Sequence, residues 1–174
     1  MEKLILVKPT IDMKQDALDY KNEHFQTGEN IINGSALLDD LEYEEWIARV
    51  EKNADRNTVC SDWVNASTFF VVRESDSKVV GMVDIRHRLN KFLALYGGHI
   101  GYSVRPSERK KGYGTQILKL ALEYAKSINI NHVMLSCYKD NEGSRTIILK
   151  CGGKLEKEVI YTDGKLVQIY WIDI

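Results

Sequence analysis

The hydrophobic patterning of this 174-residue chain predicts a mixed α/β fold, a mostly antiparallel central sheet of about six to seven strands flanked by helices on both faces. Two observations carry that prediction. Short runs rich in β-branched and aromatic residues recur along the chain, and between several of them apolar residues fall at spacings of three and four. Where two runs lie close together, turn formers separate them: Glu74-Ser75-Asp76-Ser77-Lys78 in one case and Asp163-Gly164 in the other.

In chain order, residues 4–7 read as a first strand and residues 13–25 as a helix carrying Ala17, Leu18 and Tyr20. Residues 28–39 are polar and mixed and read as loop. Residues 43–52 form a second helix with Trp46, Ile47 and Val50 on one face. The period then changes. Residues 68–72 and 79–86 pair as an antiparallel hairpin, and 99–104 give a third strand stopped at Arg105-Pro106. Residues 112–128 are the clearest helix, with Ile117, Leu120, Ala121, Tyr124 and Ile128 in register. A strand at 132–137 follows, then a helix at 141–151 closed by Gly152-Gly153, residues suited to a left-handed C-terminal cap. Residues 154–161 and 166–172 make the last hairpin.

Composition narrows the function. A net charge of −1 supplies no global field for nucleic acid or an anionic membrane, so any anion site must be local. The N-terminal apolar run is too short for a signal peptide, and no 18-residue apolar stretch occurs. Cys60, Cys137 and Cys151 are widely spaced and form no C-x-x-C pair, which points to a reducing, cytoplasmic setting and to neither a disulfide framework nor a zinc site. Cys137 and Cys151 read as small buried hydrophobes, and Trp46, Trp63 and Trp171 as core. His24 and His132 have no metal-binding spacing, and no metal is expected.

The chemistry concentrates in Val104-Arg105-Pro106-Ser107-Glu108-Arg109-Lys110-Lys111-Gly112-Tyr113-Gly114-Thr115, which joins a strand to an amphipathic helix. The first N–H groups of a helix lack internal partners and sit at the positive end of its dipole. Gly112 and Gly114 carry no Cβ, so phosphates can approach the backbone, and Arg109, Lys110 and Lys111 add positive charge there. A pyrophosphate suits this geometry. A strand-to-helix turn that uses glycines beside a solvated basic cluster is the plainer alternative. Neither G-x-x-x-x-G-K-[ST] nor G-x-G-x-x-G is present.

Val-x-Pro-x-x-Arg-x-x-Gly-x-Gly resembles the acetyl-CoA-binding motif of the GNAT N-acetyltransferase superfamily, with Arg109, Gly112 and Gly114 in its [QR]-x-x-G-x-[GA] positions. The resemblance covers residues 68–171 well and the first 60 only in element order. It implies one domain over 1–174, with 1–65 as variable substrate-side helices and 68–172 as the acetyl-CoA-binding core of a bacterial-type enzyme. It further implies that backbone N–H groups from Lys110 through Thr115, Tyr113 included, hold the pyrophosphate. The main chain of Tyr102, Ser103 and Val104 would pair with the pantetheine arm, and an N–H there would polarise the thioester carbonyl. Asn141 matches the asparagine that bonds the pantetheine arm, joined by Ser144 one turn on; a plain helix N-cap is the alternative for Asn141.

Acetyl transfer needs a neutral amine. At pH 7 deprotonation costs about 4.6 kcal/mol for a lysine-type amine and about 1 kcal/mol for an α-amine. His99, at the start of the strand before the motif, is the candidate base, with His87 second. Arg86 and Asn90, at the end of the neighbouring strand, are candidates for holding the acceptor, Arg86 through a carboxylate; a solvated hairpin end accounts for them as well. Many relatives protonate the leaving thiolate with a tyrosine four residues before the glycine that ends the helix after Asn141; that position is Ile148 here. The expected activity is direct transfer from acetyl-CoA to a primary amine on a small molecule or a protein N-terminus. A non-catalytic acyl-CoA-binding module is the alternative. No nucleic acid or membrane partner is expected, and the final hairpin offers an edge on which a homodimer could form.

Overall fold

The computed structural model describes residues 2–174. Strands β1 (Leu4–Val7), β2 (Ala66–Arg73), β3 (Lys78–Arg86) and β4 (Ile100–Val104) form one antiparallel sheet in that order. Strands β5 (His132–Tyr138), β6 (Lys154–Ile160) and β7 (Leu166–Asp173) form a second, ordered β5-β7-β6. The seven strands and the helices α1 (Lys14–Gln26), α2 (Tyr43–Ala54), α3 (Tyr113–Ser127) and α4 (Glu142–Lys150) fall where the patterning puts them. The expectation of a single sheet is sharpened, because the sheet divides between β4 and β5.

The patterning also explains the layers. α3 and α4 cover one face, where Ile117, Leu118, Ala121 and Ile148 meet Val83, Ile100 and Leu135. On the opposite face α1 and α2 set Tyr20, Trp46, Ile47 and Val50 against Phe70, Val72 and Met82 of the first sheet only. The same face of the second sheet carries a small separate cluster, Met134, Val167 and Ile169, beside Leu89, Tyr138 and Tyr161. The long connections 27–42 and 87–99 therefore border an unfilled space, and that space becomes the site.

β4 and β5 run side by side but join at one point. The His99 main-chain N–H donates to the Met134 carbonyl at 2.8 Å, and the Met134 N–H donates to Nδ1 of the His99 ring at 3.0 Å. An imidazole stands where a continuing ladder would place a main-chain carbonyl, and pairing stops there. Gly98 permits this approach. Its φ is +67° and a Cβ on it would lie 2.5 Å from the Met134 carbonyl oxygen.

Candidate active site

Beyond that junction the strands diverge around a cleft of about 1070 Å³. Antiparallel pairing alternates. The Arg86 N–H donates to the His99 carbonyl and the Arg105 N–H to the Val80 carbonyl, so Gly101 and Ser103 also turn their main-chain groups to β3. The main-chain groups of Tyr102 and Val104 then face the gap and β5. Tyr102 to Val104, Arg109, Lys110, Gly112 to Thr115, Asn141 and Ser144 all line this one cleft.

At its far end, Gly112 adopts φ +82° as the N-cap of α3. The first bond of the helix runs from the Gln116 N–H to the Gly112 carbonyl, so the N–H groups of Tyr113, Gly114 and Thr115 precede it and have no helical acceptor. Those N–H groups and the helix dipole form an anion seat. The cations around it are mostly engaged. The Arg109 guanidinium donates to both carboxylate oxygens of Glu29 at 2.5 and 2.6 Å, and these bonds hold the Glu29 carboxyl down to about 2. Lys111 donates to Glu108, as do Arg73 and Lys78, at 2.8 to 2.9 Å. Glu108 is only 3% exposed. Burial opposes its ionisation, but Lys111, Lys78 and Arg73 outweigh that and hold its carboxyl down to about 2. Lys110, at φ +62°, has no ion pair among the described residues.

The helix opened by Asn141 faces the cleft with Gly143, Ser144 and Ile147. Asn141 Oδ1 accepts the Ser144 N–H at 3.0 Å, which makes the residue an N-cap in fact. Ile148 turns the other way and is wholly buried in the core, packed against Gly153. Hydroxyls do reach the cleft from elsewhere. The Tyr102 and Ser144 hydroxyls lie 3.1 Å apart, bridging β4 and α4. Burial pushes the Tyr102 phenol strongly upward, so it stays protonated. The sequence points to Tyr102 for its main chain alone; the side-chain pair depends on a partner 42 residues away.

The nominated histidines stand apart from this cleft. His99 is 8% exposed, and burial, then Arg86 and His132, push its ring down to about 4. With Nδ1 accepting from Met134, its role in the structure is to join the two sheets. His87 lies within 2.8 Å of Asn65 through Nδ1 and of Ser67 through Nε2, and Ser67 in turn meets the Tyr124 hydroxyl at 2.8 Å. Neither ring lines the cleft.

Arg86 does line it, together with Phe92, Tyr96 and Tyr161, whose rings lie 5.2 to 6.2 Å apart. Arg86 also borders a smaller cavity of about 460 Å³ under the 27–42 connection, where Asn90 and Trp63 are found. Asn90 accepts the Leu93 N–H at 2.9 Å and so starts the π-helical turn Leu93–Gly97. Trp63, expected in the core, is 37% exposed under the Arg49 guanidinium. Among the described residues no group of three or more His, Cys, Asp or Glu is placed to hold a metal ion, and no helix is long and apolar enough to cross a membrane.

Comparison with known proteins decides the family. The model of the acetyltransferase (GNAT) domain matches residues 3–154, most of the chain. The chain belongs to the GNAT acetyltransferase family. It is 23% identical over 149 residues to the N-acetyltransferase YnaD of Bacillus subtilis (strain 168), covering 73% of this chain and 84% of that protein. In fold it is similar to the microcin C7 self-immunity acetyltransferase MccE in complex with acetyl-CoA and AMP, with a TM-score of 0.70 and 22% identity over 100% of this chain and 94% of that one. It is likewise similar to RimL, a ribosomal L7/L12 α-N-protein acetyltransferase in complex with coenzyme A, with a TM-score of 0.70 and 17% identity over 98% of this chain and 94% of that one. This acetyltransferase therefore carries the GNAT fold over its whole length.

Proposed function

We propose that this GNAT protein binds acetyl-CoA in the cleft between β4 and β5 and transfers the acetyl group directly to a primary α-amine. The observation that carries the proposal is the edge of β4 that no strand pairs, with Tyr102 and Val104 facing the gap and only the Val104 carbonyl taken, by Arg109 Nε at 3.2 Å, in line with the N–H groups of Tyr113 to Thr115 that have no helical acceptor. The edge suits an extended pantetheine arm and the helix start suits a pyrophosphate. Lys110, which has no ion pair among the described residues, is free to meet a phosphate there. Arg109 acts through Glu29, tying the 27–42 connection to the phosphate loop.

The transfer forms an N–C bond as the C–S bond breaks; one proton leaves the amine and one reaches sulfur. In this reading the Tyr102 N–H polarises the thioester carbonyl as charge builds on it. Tyr102 and Ser144 supply hydroxyls where sulfur leaves. A phenol this weakly acidic does not surrender its proton to a thiolate of pKa about 8.5. It stabilises the thiolate as a hydrogen-bond donor, and solvent completes the protonation. An α-amine needs only about 1 kcal/mol to lose its proton at pH 7, so transfer does not depend on His99 or His87. The name of RimL, an α-N-protein acetyltransferase, is consistent with that class of acceptor.

The test is release of free thiol from acetyl-CoA against a panel of α-amines and lysine-type amines. Turnover with α-amines is expected, and Tyr102→Phe should lower kcat about 10-fold while CoA affinity holds, since one hydrogen bond to a charged group is worth about 1.5 kcal/mol. Tight CoA binding with no thiol release on any amine would replace this reading with the non-catalytic module.

A further inference from the structure

We infer that the smaller cavity is the acceptor pocket and that it takes a free α-amino acid with an apolar or aromatic side chain, its carboxylate held by Arg86. This names the substrate class of the transfer proposed above and rests on that reading; the carboxylate of a free amino acid makes its amine more basic than a peptide α-amine, and pairing that carboxylate with Arg86 offsets the effect. The starting point is one nitrogen. In the Arg86 guanidinium, Nε pairs with Asp84 at 3.1 Å, and Nη1 donates to the Gly97 and Gly98 carbonyls at 3.3 and 3.4 Å. Nη2 has no protein partner among the described residues. It lies against Gly101 of β4, 3.1 Å from where a Cβ on that glycine would stand.

The guanidinium is thus fixed in place with one cationic donor left over, on a residue that lines both the cleft and the cavity. A carboxylate is the group such a donor fits. In an α-amino acid the amine is one carbon removed from the carboxylate. Binding at Nη2 therefore sets the amine beside the free edge of β4, where the Tyr102 N–H would hold the thioester carbonyl.

The side chain then points into the cavity. Its walls are Ile31, Ile32, Val64 and Leu93 with the rings of Trp63 and Phe92. Of the three acids in that wall, Asp84 and Asp39 are already committed, while Asp62 is exposed to solvent. Asp84 accepts the Thr68 hydroxyl at 2.8 Å besides pairing with Arg86, and Asp39 accepts the Ile32 N–H and the Ser35 hydroxyl, both at 2.9 Å. Asp84 and Asp39 therefore offer little to a second cationic group on the acceptor, and lysine in the panel below measures what Asp62 can offer. Asn53 is 5% exposed, lines the cavity, and its carboxamide has no partner among the described residues. A carboxamide open to the cavity can both donate to and accept from a polar ligand atom, so a hydroxyl or ring N–H at the tip of the side chain is favoured. The volume of about 460 Å³ suits one amino acid.

Thiol release is to be measured for phenylalanine, tyrosine, phenylalaninamide, phenethylamine and lysine, with the wild type and Arg86→Ala. We expect kcat/KM for phenylalanine and tyrosine at least 10-fold above phenethylamine. Arg86→Ala should raise KM for the amino acids 10- to 100-fold and affect phenethylamine far less. Should Arg86→Ala unfold, Arg86→Lys keeps the charge but loses the fork, and a smaller rise in KM of the same selectivity is expected. Equal use of phenylalanine and phenethylamine, or equal losses for both, would overturn the assignment. Preference for phenylalaninamide over phenylalanine would overturn the free acid in favour of a peptide N-terminus. Failure of the transfer reading looks different, with no thiol released by any amine. In that event, calorimetric titration of phenylalanine into the CoA-saturated protein still decides: binding lost in Arg86→Ala supports the pocket, and no binding to the wild type removes it.

Discussion

The two ends of the cleft are built by opposite means. The end proposed for the donor is mostly main chain: the bare edge of β4, the left-handed Gly112 and the first N–H groups of α3. Side chains there serve the loop, as Glu108 does by gathering Arg73, Lys78 and Lys111. The acceptor end is mostly side chain, contributed by segments around 31–39, 53, 62–66, 84–97 and 161. Its cover includes Ala36 at φ +52° and Leu37 at φ +72°, conformations that favour glycine and are held by surrounding contacts. A site made of backbone resists side-chain replacement, whereas one made of side chains on loops can change its specificity without disturbing the fold.

If that contrast is right, the donor end should fail only when its backbone is blocked. Gly112→Glu is the most damaging change. It sets a side chain and a negative charge against the anion seat and asks a residue with a Cβ to adopt φ +82°. CoA affinity by calorimetry should fall more than about 100-fold, about 2.7 kcal/mol, while circular dichroism reports a folded protein. Trp63→Ala, at the acceptor end, should leave CoA affinity within about twofold. An equal loss of CoA affinity in both would erase the distinction between the ends.

Glu108 tests the side chains that hold the loop. Removing one partner from a buried ionic group strands the others, so Glu108→Gln should destabilise the protein by about 2–3 kcal/mol in denaturant unfolding. Its cations are partly solvated, which keeps the figure at the low end. The pH dependence has a definite sign. A carboxyl held down to about 2 stabilises the fold fully above its unfolded value near 4.5, and that contribution is lost as pH falls towards 2. Glu108→Gln should flatten the stability profile within that window. A profile parallel to the wild type would assign the acid sensitivity elsewhere, with Glu29 next in line.

The same contrast explains what the sequence reveals. A strand, a glycine-bearing turn and an amphipathic helix are contiguous, so the anion seat is legible from residues 104–115 alone. So are the hairpins, because Asp163-Gly164 and the 74–78 turn act locally; Gly164 adopts φ +83° as such a turn requires. Partnerships across long separations are another matter. Nothing near His99 in sequence indicates that Nδ1 accepts from Met134, 35 residues on, or that the ring thereby divides the sheet. Ile148 illustrates the converse. Counting back from a glycine finds the position but not its direction, and a difference of one residue on α4 separates the cleft-lining Ile147 from the core. Asn90, a candidate for substrate contact in the sequence, carries a usable signal of its own: an asparagine three residues before a helical turn is a cap before it is anything else.

Asn141 is where the two readings meet in one side chain, and it carries the smallest effect. Its Oδ1 caps α4 through the Ser144 N–H, while its amide group faces the cleft with a donor to spare. The two roles separate by choice of substitution. Asn141→Ala removes both, and should destabilise by about 1 kcal/mol, the usual effect of losing an N-cap. Asn141→Ser keeps a capping oxygen but has no amide, so its stability should stay within about 0.5 kcal/mol of the wild type. CoA affinity should nonetheless fall about 3- to 10-fold in both variants, as expected for one hydrogen bond worth about 1 kcal/mol to the pantetheine arm. If Asn141→Ser binds CoA as tightly as the wild type, Asn141 is a cap alone, and the donor end is then made of main chain even more completely than its geometry already indicates.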